Sequence, residues 1–153
     1  MDINIRSDKQ LKFVKIVYSV YIATVLIYAL VIYWVVPTQI GTPLISLDNS
    51  TITIIEVIFG IISIWIFIYV IIIHEYLFRR LVRKHINPAR LVVKFIIRCA
   101  MFESVAIYGL IIGIIGAKWP ISLSFLMVSA IALVLSFPTR ARWERLTEKQ
   151  QGI

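Results

Sequence analysis

The chain has 153 residues, of which 60% are hydrophobic and 16% charged, with a formal net charge of +8. A soluble domain is about 45–50% apolar, so this composition excludes an ordinary soluble domain. A chain of this length also has too few polar residues left over to form a separate folded domain. The positive charge indicates anionic lipid headgroups as counter-charge rather than nucleic acid, because Lys and Arg collect beside the ends of membrane helices.

Four long apolar runs occupy most of the chain, at residues 16–36, 53–73, 95–117 and 121–137. Each is close to the roughly 20 residues that an α-helix needs to cross about 30 Å of hydrocarbon. The runs are continuously apolar, whereas a barrel strand alternates over about 10 residues, so helices are expected. The predicted fold is therefore all-α: one transmembrane domain over residues 1–153, an integral membrane four-helix bundle with a basic connection at residues 74–94.

The basic residues predict how the chain crosses the membrane. They are frequent before the first run, between runs two and three and after the fourth run. In the other two connections the only charged residues are Asp48 and Lys118. Because Lys and Arg of short loops stay on the cytoplasmic side, both termini are predicted to be cytoplasmic. The expected location is multi-pass in the cell membrane, a prokaryotic inner or plasma membrane.

The connection between the second and third runs is the most basic part of the chain. Its Asn87–Pro88 step predicts that the next helix begins at Pro88. Arg90, Lys94 and Arg98 follow at a spacing of four, so they share one helix face at the headgroup level. The residues predicted to contact lipid headgroups are Arg79, Arg80, Arg83, Lys84, Arg90 and Lys94. A phosphate or nucleic-acid site is the alternative reading of this cluster, but no nucleic-acid partner is expected.

Aromatic residues also mark the ends of the runs. Trp and Tyr are enriched where membrane helices meet the headgroups. The residues predicted to form this aromatic belt are Tyr18, Tyr33, Trp34, Tyr76, Trp119 and Trp143. Trp65, Tyr28 and Tyr108 lie deeper in their runs and are expected to pack rather than to bind a ligand.

Three carboxylates lie in or beside the apolar runs, where an ionisable group costs a few kcal/mol. Glu56 is near the outer end of the second run and within reach of the interface. Glu75 follows His74 at the other end, a pair that forms either a hydrated helix end or a proton-handling site. One His and one carboxylate are too few ligands for a metal, so no metal site and no cofactor are expected.

Glu103 is the principal candidate because it lies well inside the third run. A carboxylate at that depth has to be either paired or protonated. The possible partners are Arg98 on the same helix, His74 or Glu75 on a neighbouring helix, and the hydroxyls of Ser104 and Tyr108. Three roles remain open for Glu103: a structural polar anchor, an ion or proton carrier, and a contact with another subunit.

Three glycines follow Glu103 in the same run, Gly109, Gly113 and Gly116. Their spacings of four and three place them on one stripe of the helix. Small residues at this spacing let two membrane helices approach closely. The expected partner of the stripe is either the fourth helix or a second copy of the chain.

The segment from Glu103 to Ile112, with its Ile-Tyr-Gly-Leu sequence, resembles the ion-carrying helix of rotary ATPase proteolipid (c-ring) subunits. The resemblance implies that Glu103 binds a proton or a sodium ion. The first run has no glycine, whereas that family packs a glycine-rich helix inside its ring. A broader pattern, Arg98-x4-Glu103-Ser and later Phe137-Pro138-x-Arg140-x2-Trp143-Glu144, is similar to small four-span bacterial membrane proteins. That second resemblance implies an architecture and no particular activity.

The function expected from the sequence is a non-catalytic accessory or assembly subunit. Its partners are the lipid bilayer and other membrane subunits or further copies of the chain. The alternative is a proton- or sodium-handling, proteolipid-like subunit that uses Glu103. An enzyme is not expected, because the sequence has no nucleophile–base pair, paired-carboxylate motif, phosphate-binding loop or metal cluster.

Overall fold

The computed structural model describes residues 2–38, 47–73, 76, 88–116, 119–141, 143 and 144. Its four long helices are α1 (Asp2–Thr38), α2 (Asn49–Ile68), α3 (Pro88–Gly116) and α4 (Trp119–Ser136). One long helix contains most of each predicted apolar run, and the described ranges contain no strand, so the predicted all-α fold is confirmed. The described part of the third helix includes Pro88, the residue at which the sequence predicts this helix to begin.

All four helices contain a stretch that is long and apolar enough to cross a membrane. These stretches are Asp8–Trp34, Asn49–Ile72, Leu91–Ile115 and Trp119–Ser136. Large apolar side chains point outward from the bundle, with exposed fractions of 60% for Leu26, 62% for Ile64 and 75% for Leu135. Contact of such side chains with lipid tails is favourable, whereas their contact with water would be unfavourable. The chain is thus a multi-pass membrane protein.

The central helix of the bundle is α3. It packs most extensively on α4 and then on α1, and α1 and α4 also contact each other. Helix α2 packs on α3 and buries little of itself, only Ile52 and Ser63 along its length. The bundle is therefore a three-helix core of α1, α3 and α4, with α2 attached to one side of α3.

Helix α2 continues into one π-helical turn, Tyr69–Ile73. At its start the Tyr69 N–H is shared between the carbonyls of Trp65 and Ile66. Val70 is the inward-facing residue of this turn and is 1% exposed. Single π-helical turns inside α-helices occur frequently at functional positions. Six residues that the sequence singled out after this turn lie outside the described residues. They are the pair His74 and Glu75 and the basic residues Arg79, Arg80, Arg83 and Lys84.

An aromatic cluster closes the end of the bundle that carries Lys12, Lys94, Arg98 and Arg140, which we call the basic end. The Tyr18 ring meets the edges of Phe95 and Phe137 at centroid distances of 6.1 and 5.8 Å. The Phe95 ring also contacts Trp143, at 5.8 Å. This cluster ties the segment after α4 to α1 and α3.

The prediction that Tyr18 and Trp143 belong to an aromatic belt was wrong. Tyr18 is 0% and Trp143 2% exposed, because the chain turns back after Ser136 and packs Trp143 over Phe95. The other four predicted belt residues are exposed: Tyr33, Trp34, Tyr76 and Trp119. Beyond Trp143, Glu144 accepts a hydrogen bond from Arg140 Nε at 2.8 Å. That bond raises the pKa of the exposed Arg140 guanidinium.

The orientation of the bundle remains a prediction, and reporter fusions test it. A reporter fused after Lys149 or within residues 83–87 is expected to be active only in the cytoplasm. A reporter inserted beside Asp48 is expected to be active only outside, because the connection around it lacks basic residues. An external signal from residues 83–87 would contradict the predicted topology.

Candidate functional site

Glu103 occupies the middle of the stretch of α3 that is long and apolar enough to cross a membrane. The 25-residue span Leu91–Ile115 has 12 residues before Glu103 (91–102) and 12 after it (104–115). At a rise of about 1.5 Å per residue, Glu103 lies roughly 18 Å from each end of the span. Its side chain is partly buried, on the side of α3 that faces α1. A carboxyl group is most costly at this depth in a bilayer.

The described partner of Glu103 is a tyrosine on another helix. The Tyr28 hydroxyl of α1 donates a hydrogen bond to Glu103 Oε1 at 3.4 Å. This distance is long for an O–H···O bond, for which about 2.5–3.0 Å is usual, so the restraint on the carboxyl group is weak. Tyr21 lies seven residues earlier on α1 and within electrostatic reach of Glu103. Two hydroxyls of α1 thus line the approach to one carboxyl group of α3.

The sequence alone did not identify Tyr28 as a partner of Glu103. The sequence signal was a pair of tyrosines, Tyr21 and Tyr28, seven residues apart within an apolar run. Residues at that spacing lie on one face of a helix. Only the packing of α1 on α3 shows that this face meets Glu103.

The partners that the sequence suggested for Glu103 are directed elsewhere. Ser104 Oγ donates to the Ala100 carbonyl of its own helix at 2.9 Å. Tyr108 stacks on Phe59 of α2, with ring centroids 4.7 Å apart. Arg98 and Tyr108 are each five residues from Glu103, which turns their side chains by about 140° around the helix axis. His74 and Glu75 lie outside the described residues.

Glu56 is not brought to Glu103 either. It lies on α2 three residues before Phe59, which contacts Tyr108. Because α2 and α3 are antiparallel, Glu56 is about two helical turns from Glu103 towards the other end of the bundle. Its Oε1 atom is shielded from solvent. The two carboxylates therefore do not form a paired site.

The predicted glycine stripe faces α4. A Cβ atom on Gly109 would lie 2.8 Å from both the Ser122 carbonyl oxygen and Phe125 Cβ. On Gly113 it would lie 2.7 Å from Ser122 Oγ and 3.1 Å from Ile32 Cγ1 of α1. At Gly109 the backbones of α3 and α4 approach so closely that a Cβ atom does not fit, whereas at Gly113 a Cβ atom would meet the side chains of Ser122 and Ile32. Gly116 is the last residue of α3, and its packing lies outside the described part.

Buried serines of α4 fix the position of α3 along this seam. Ser122 Oγ donates to the Gly109 carbonyl at 2.5 Å, and Ser129 Oγ donates to the Phe102 carbonyl at 2.7 Å. Both donors and both acceptors are seven residues apart, which is the repeat of an antiparallel coiled-coil contact. The sequence signal that was missed is a serine every seven residues in α4, at Ser122, Ser129 and Ser136. The seam holds the backbone around Glu103 in a defined place.

The chemistry available at Glu103 is the exchange of a proton. As a carboxylate, Glu103 accepts the hydrogen of the Tyr28 hydroxyl, and as a carboxylic acid it still offers a carbonyl oxygen to that hydroxyl. Among the described residues, no group of three His, Cys, Asp or Glu side chains is placed to hold a metal ion. Cys99 lies one turn before Glu103 and is buried.

Comparison with known proteins supports the predicted resemblance of α3 to the rotary ATPase proteolipid. The model of the ATP synthase C-subunit family matches residues 75–116, a little over a quarter of the chain. The match contains all of α3, with Glu103 and the glycine stripe, so the predicted local resemblance to the rotary ATPase proteolipid is confirmed. No curated protein and no solved structure matches the chain. The molecule is a small multi-pass membrane protein whose central helix is proteolipid-like.

Proposed function

We propose that this protein is a proteolipid-like component of a membrane assembly, and that Glu103 binds and releases a proton at the centre of the membrane. The observation that carries the proposal is the position of Glu103, at the middle of the span and only partly buried. The family match over α3 supports it, because the matched segment includes this carboxyl group. In this role the protein is a carrier and not an enzyme.

Two physical features make Glu103 suitable for reversible protonation. Hydrocarbon surroundings favour the neutral form of a carboxyl group, so a proton binds without creating a charge in the membrane. The Tyr28 hydroxyl stabilises the carboxylate by one long hydrogen bond, which is too weak to lock it in one state. A proton is favoured over a sodium ion, because hard cations take about six oxygen ligands, whereas the described surroundings of Glu103 add the Tyr28 hydroxyl to its own two carboxyl oxygens.

The second candidate is the accessory or assembly subunit, in which Glu103 is a polar anchor. The observation that favours it is that the Tyr28–Glu103 contact joins α1 to α3. Helix α3 is also held on its other side by the glycine and serine seam. An anchor of this kind needs the hydrogen bond but does not need a titrating group.

Replacing Glu103 by glutamine separates the two candidates. Glu103→Gln keeps the shape of the side chain and an oxygen for Tyr28 but cannot release a proton. In liposomes that contain the purified full chain, proton flux is expected in the wild type and not in Glu103→Gln, at equal folded yield. Sodium flux is measured in parallel. Glu56→Gln is the matched control, because it removes a second carboxylate from the same bundle away from Glu103.

Binding is measured separately from flux, because other proteins of the assembly can be needed to complete a pathway across the membrane. Infrared spectroscopy is expected to show one protonated carboxyl band that titrates with pH and is absent in Glu103→Gln. A wild type with neither flux nor a titrating band, together with a stable Gln variant and a misfolded Glu103→Leu variant, would establish the anchor and refute the carrier.

A further inference from the structure

We propose that the junction of α2 and α3 at the basic end binds the phosphate group of an anionic lipid. Arg98 is the principal ligand in this proposal, and Lys94 lies beside it. The proposal does not depend on the role of Glu103, which lies on a different face of α3. The sequence placed Lys94 and Arg98 on one helix face at the headgroup level and also offered Arg98 as a partner for Glu103. Helix geometry turns Arg98 away from Glu103 and leaves it on the basic face.

The first observation is the direction of the basic face of α3. Lys94, Arg98 and Phe102 follow one another at a spacing of four, so their side chains share one side of the helix. The Phe102 ring packs on Phe67 of α2, with centroids 5.4 Å apart. Lys94 is only 6% exposed, so this face is turned into the bundle and not along its surface. The basic face therefore lines the junction of α3 with α2.

The second observation is the level of Arg98 along α2. The ring pairs Phe59–Tyr108 and Phe67–Phe102 set the antiparallel register of the two helices. Continued by one turn, this register places Arg98 beside the π-helical turn Tyr69–Ile73. In that turn Val70 is buried, whereas Ile71 and Ile72 are 58% and 60% exposed. This junction thus lies beside apolar side chains that are exposed on the surface of the bundle.

The third observation is an unsatisfied donor. Arg98 Nε is buried and has no hydrogen-bond partner in the described part of the protein. A buried donor of a charged group without an acceptor is costly, and the guanidinium group is suited to hold two phosphate oxygens at once. Glu103 is turned away from Arg98 by about 140°, and Glu56 lies towards the other end of α2. The described carboxylates of α2 and α3 therefore do not supply the acceptor.

The depth of Arg98 favours a lipid over free phosphate. Arg98 is the eighth residue of the span Leu91–Ile115, about 10 Å from its beginning. A long side chain at this depth reaches towards the headgroups while its stem stays in apolar surroundings. The guanidinium group then meets the lipid phosphate nearer the headgroups, and the acyl chains of that lipid lie along Ile71 and Ile72. Free phosphate would have to enter the same place from water and leave its hydration behind.

Native mass spectrometry of the full chain in neutral detergent tests the proposal. Phosphatidylglycerol and phosphatidylcholine with identical acyl chains are added separately. The wild type is expected to retain phosphatidylglycerol, and Arg98→Gln to bind it roughly tenfold or more weakly. Arg98→Lys keeps the charge but loses the planar donor pair, so intermediate binding is expected and reports on the site if the Gln variant unfolds.

Arg140→Gln is the matched control, because Arg140 also carries one positive charge near the basic end but its side chain is 72% exposed and paired with Glu144. It is expected to bind phosphatidylglycerol like the wild type. Equal losses in Arg98→Gln and Arg140→Gln would show a non-specific charge effect and overturn the proposal. Equal retention of the two lipids, or displacement of phosphatidylglycerol by inorganic phosphate at millimolar concentration, would also overturn it.

Discussion

Replacing Gly109 by leucine is expected to disrupt the packing of α3 on α4 and to destabilise the bundle. A Cβ atom there already lies 2.8 Å from the Ser122 carbonyl oxygen, and a backbone atom cannot rotate away as a side chain does. The helices must separate, which also breaks the hydrogen bond from Ser122 Oγ to the Gly109 carbonyl. Overpacking typically costs about 1–3 kcal/mol, and a clash against backbone belongs at or above the upper end. Gly113→Leu is expected to behave similarly.

The measurement is the thermal unfolding midpoint of the purified chain in detergent, with the fraction of monodisperse protein. Gly60 provides a matched control, because a Cβ atom added to it meets nothing within 4 Å. Gly60→Leu is expected to unfold near the wild-type temperature, since its side chain points into open space on α2. If Gly109→Leu and Gly60→Leu have the same midpoint, α3 and α4 do not pack through the glycine stripe.

Replacing Trp143 by alanine is expected to destabilise the basic end of the bundle. Trp143 is 2% exposed and contacts Phe95, which in turn contacts Tyr18 of α1. Truncation of a buried tryptophan leaves a cavity and typically costs about 3–5 kcal/mol. The segment after Ser136 is then expected to detach from α1 and α3, because Trp143 is the largest buried side chain among its described residues.

Limited proteolysis and thermal unfolding measure this effect together. Trp143→Ala is expected to be cleaved faster after α4 and to unfold at a lower temperature than the wild type. Trp65→Ala is the control, since Trp65 is 63% exposed and its loss removes a lipid-facing ring without opening a cavity. Similar cleavage and unfolding of the two variants would mean that Trp143 does not hold the segment in place.

The position and length of the apolar runs were sufficient to predict the four helices. Long apolar runs have one solution in hydrocarbon, because each backbone N–H and C=O must be satisfied within its own segment. Proline at position 88 likewise predicted a helix from that residue onward, since its fixed backbone suits the first helical turn, and Pro88 is helical. Glu103 could also be identified from the sequence, because a carboxyl group within a continuous apolar run is costly in hydrocarbon whatever its neighbours are.

What surrounds Glu103 was decided by the tertiary structure alone. Tyr28 lies 75 positions away along the chain, and no local pattern reports that α1 rests on the Glu103 side of α3. Tyr18 and Trp143 have the composition of interfacial residues, but the turn of the chain after Ser136 buries both. Arg98 was considered with Glu103 because of its proximity in sequence, whereas helix geometry points the two side chains to different neighbours. Sequence determines which groups must avoid lipid, and packing determines which partner each of them finds.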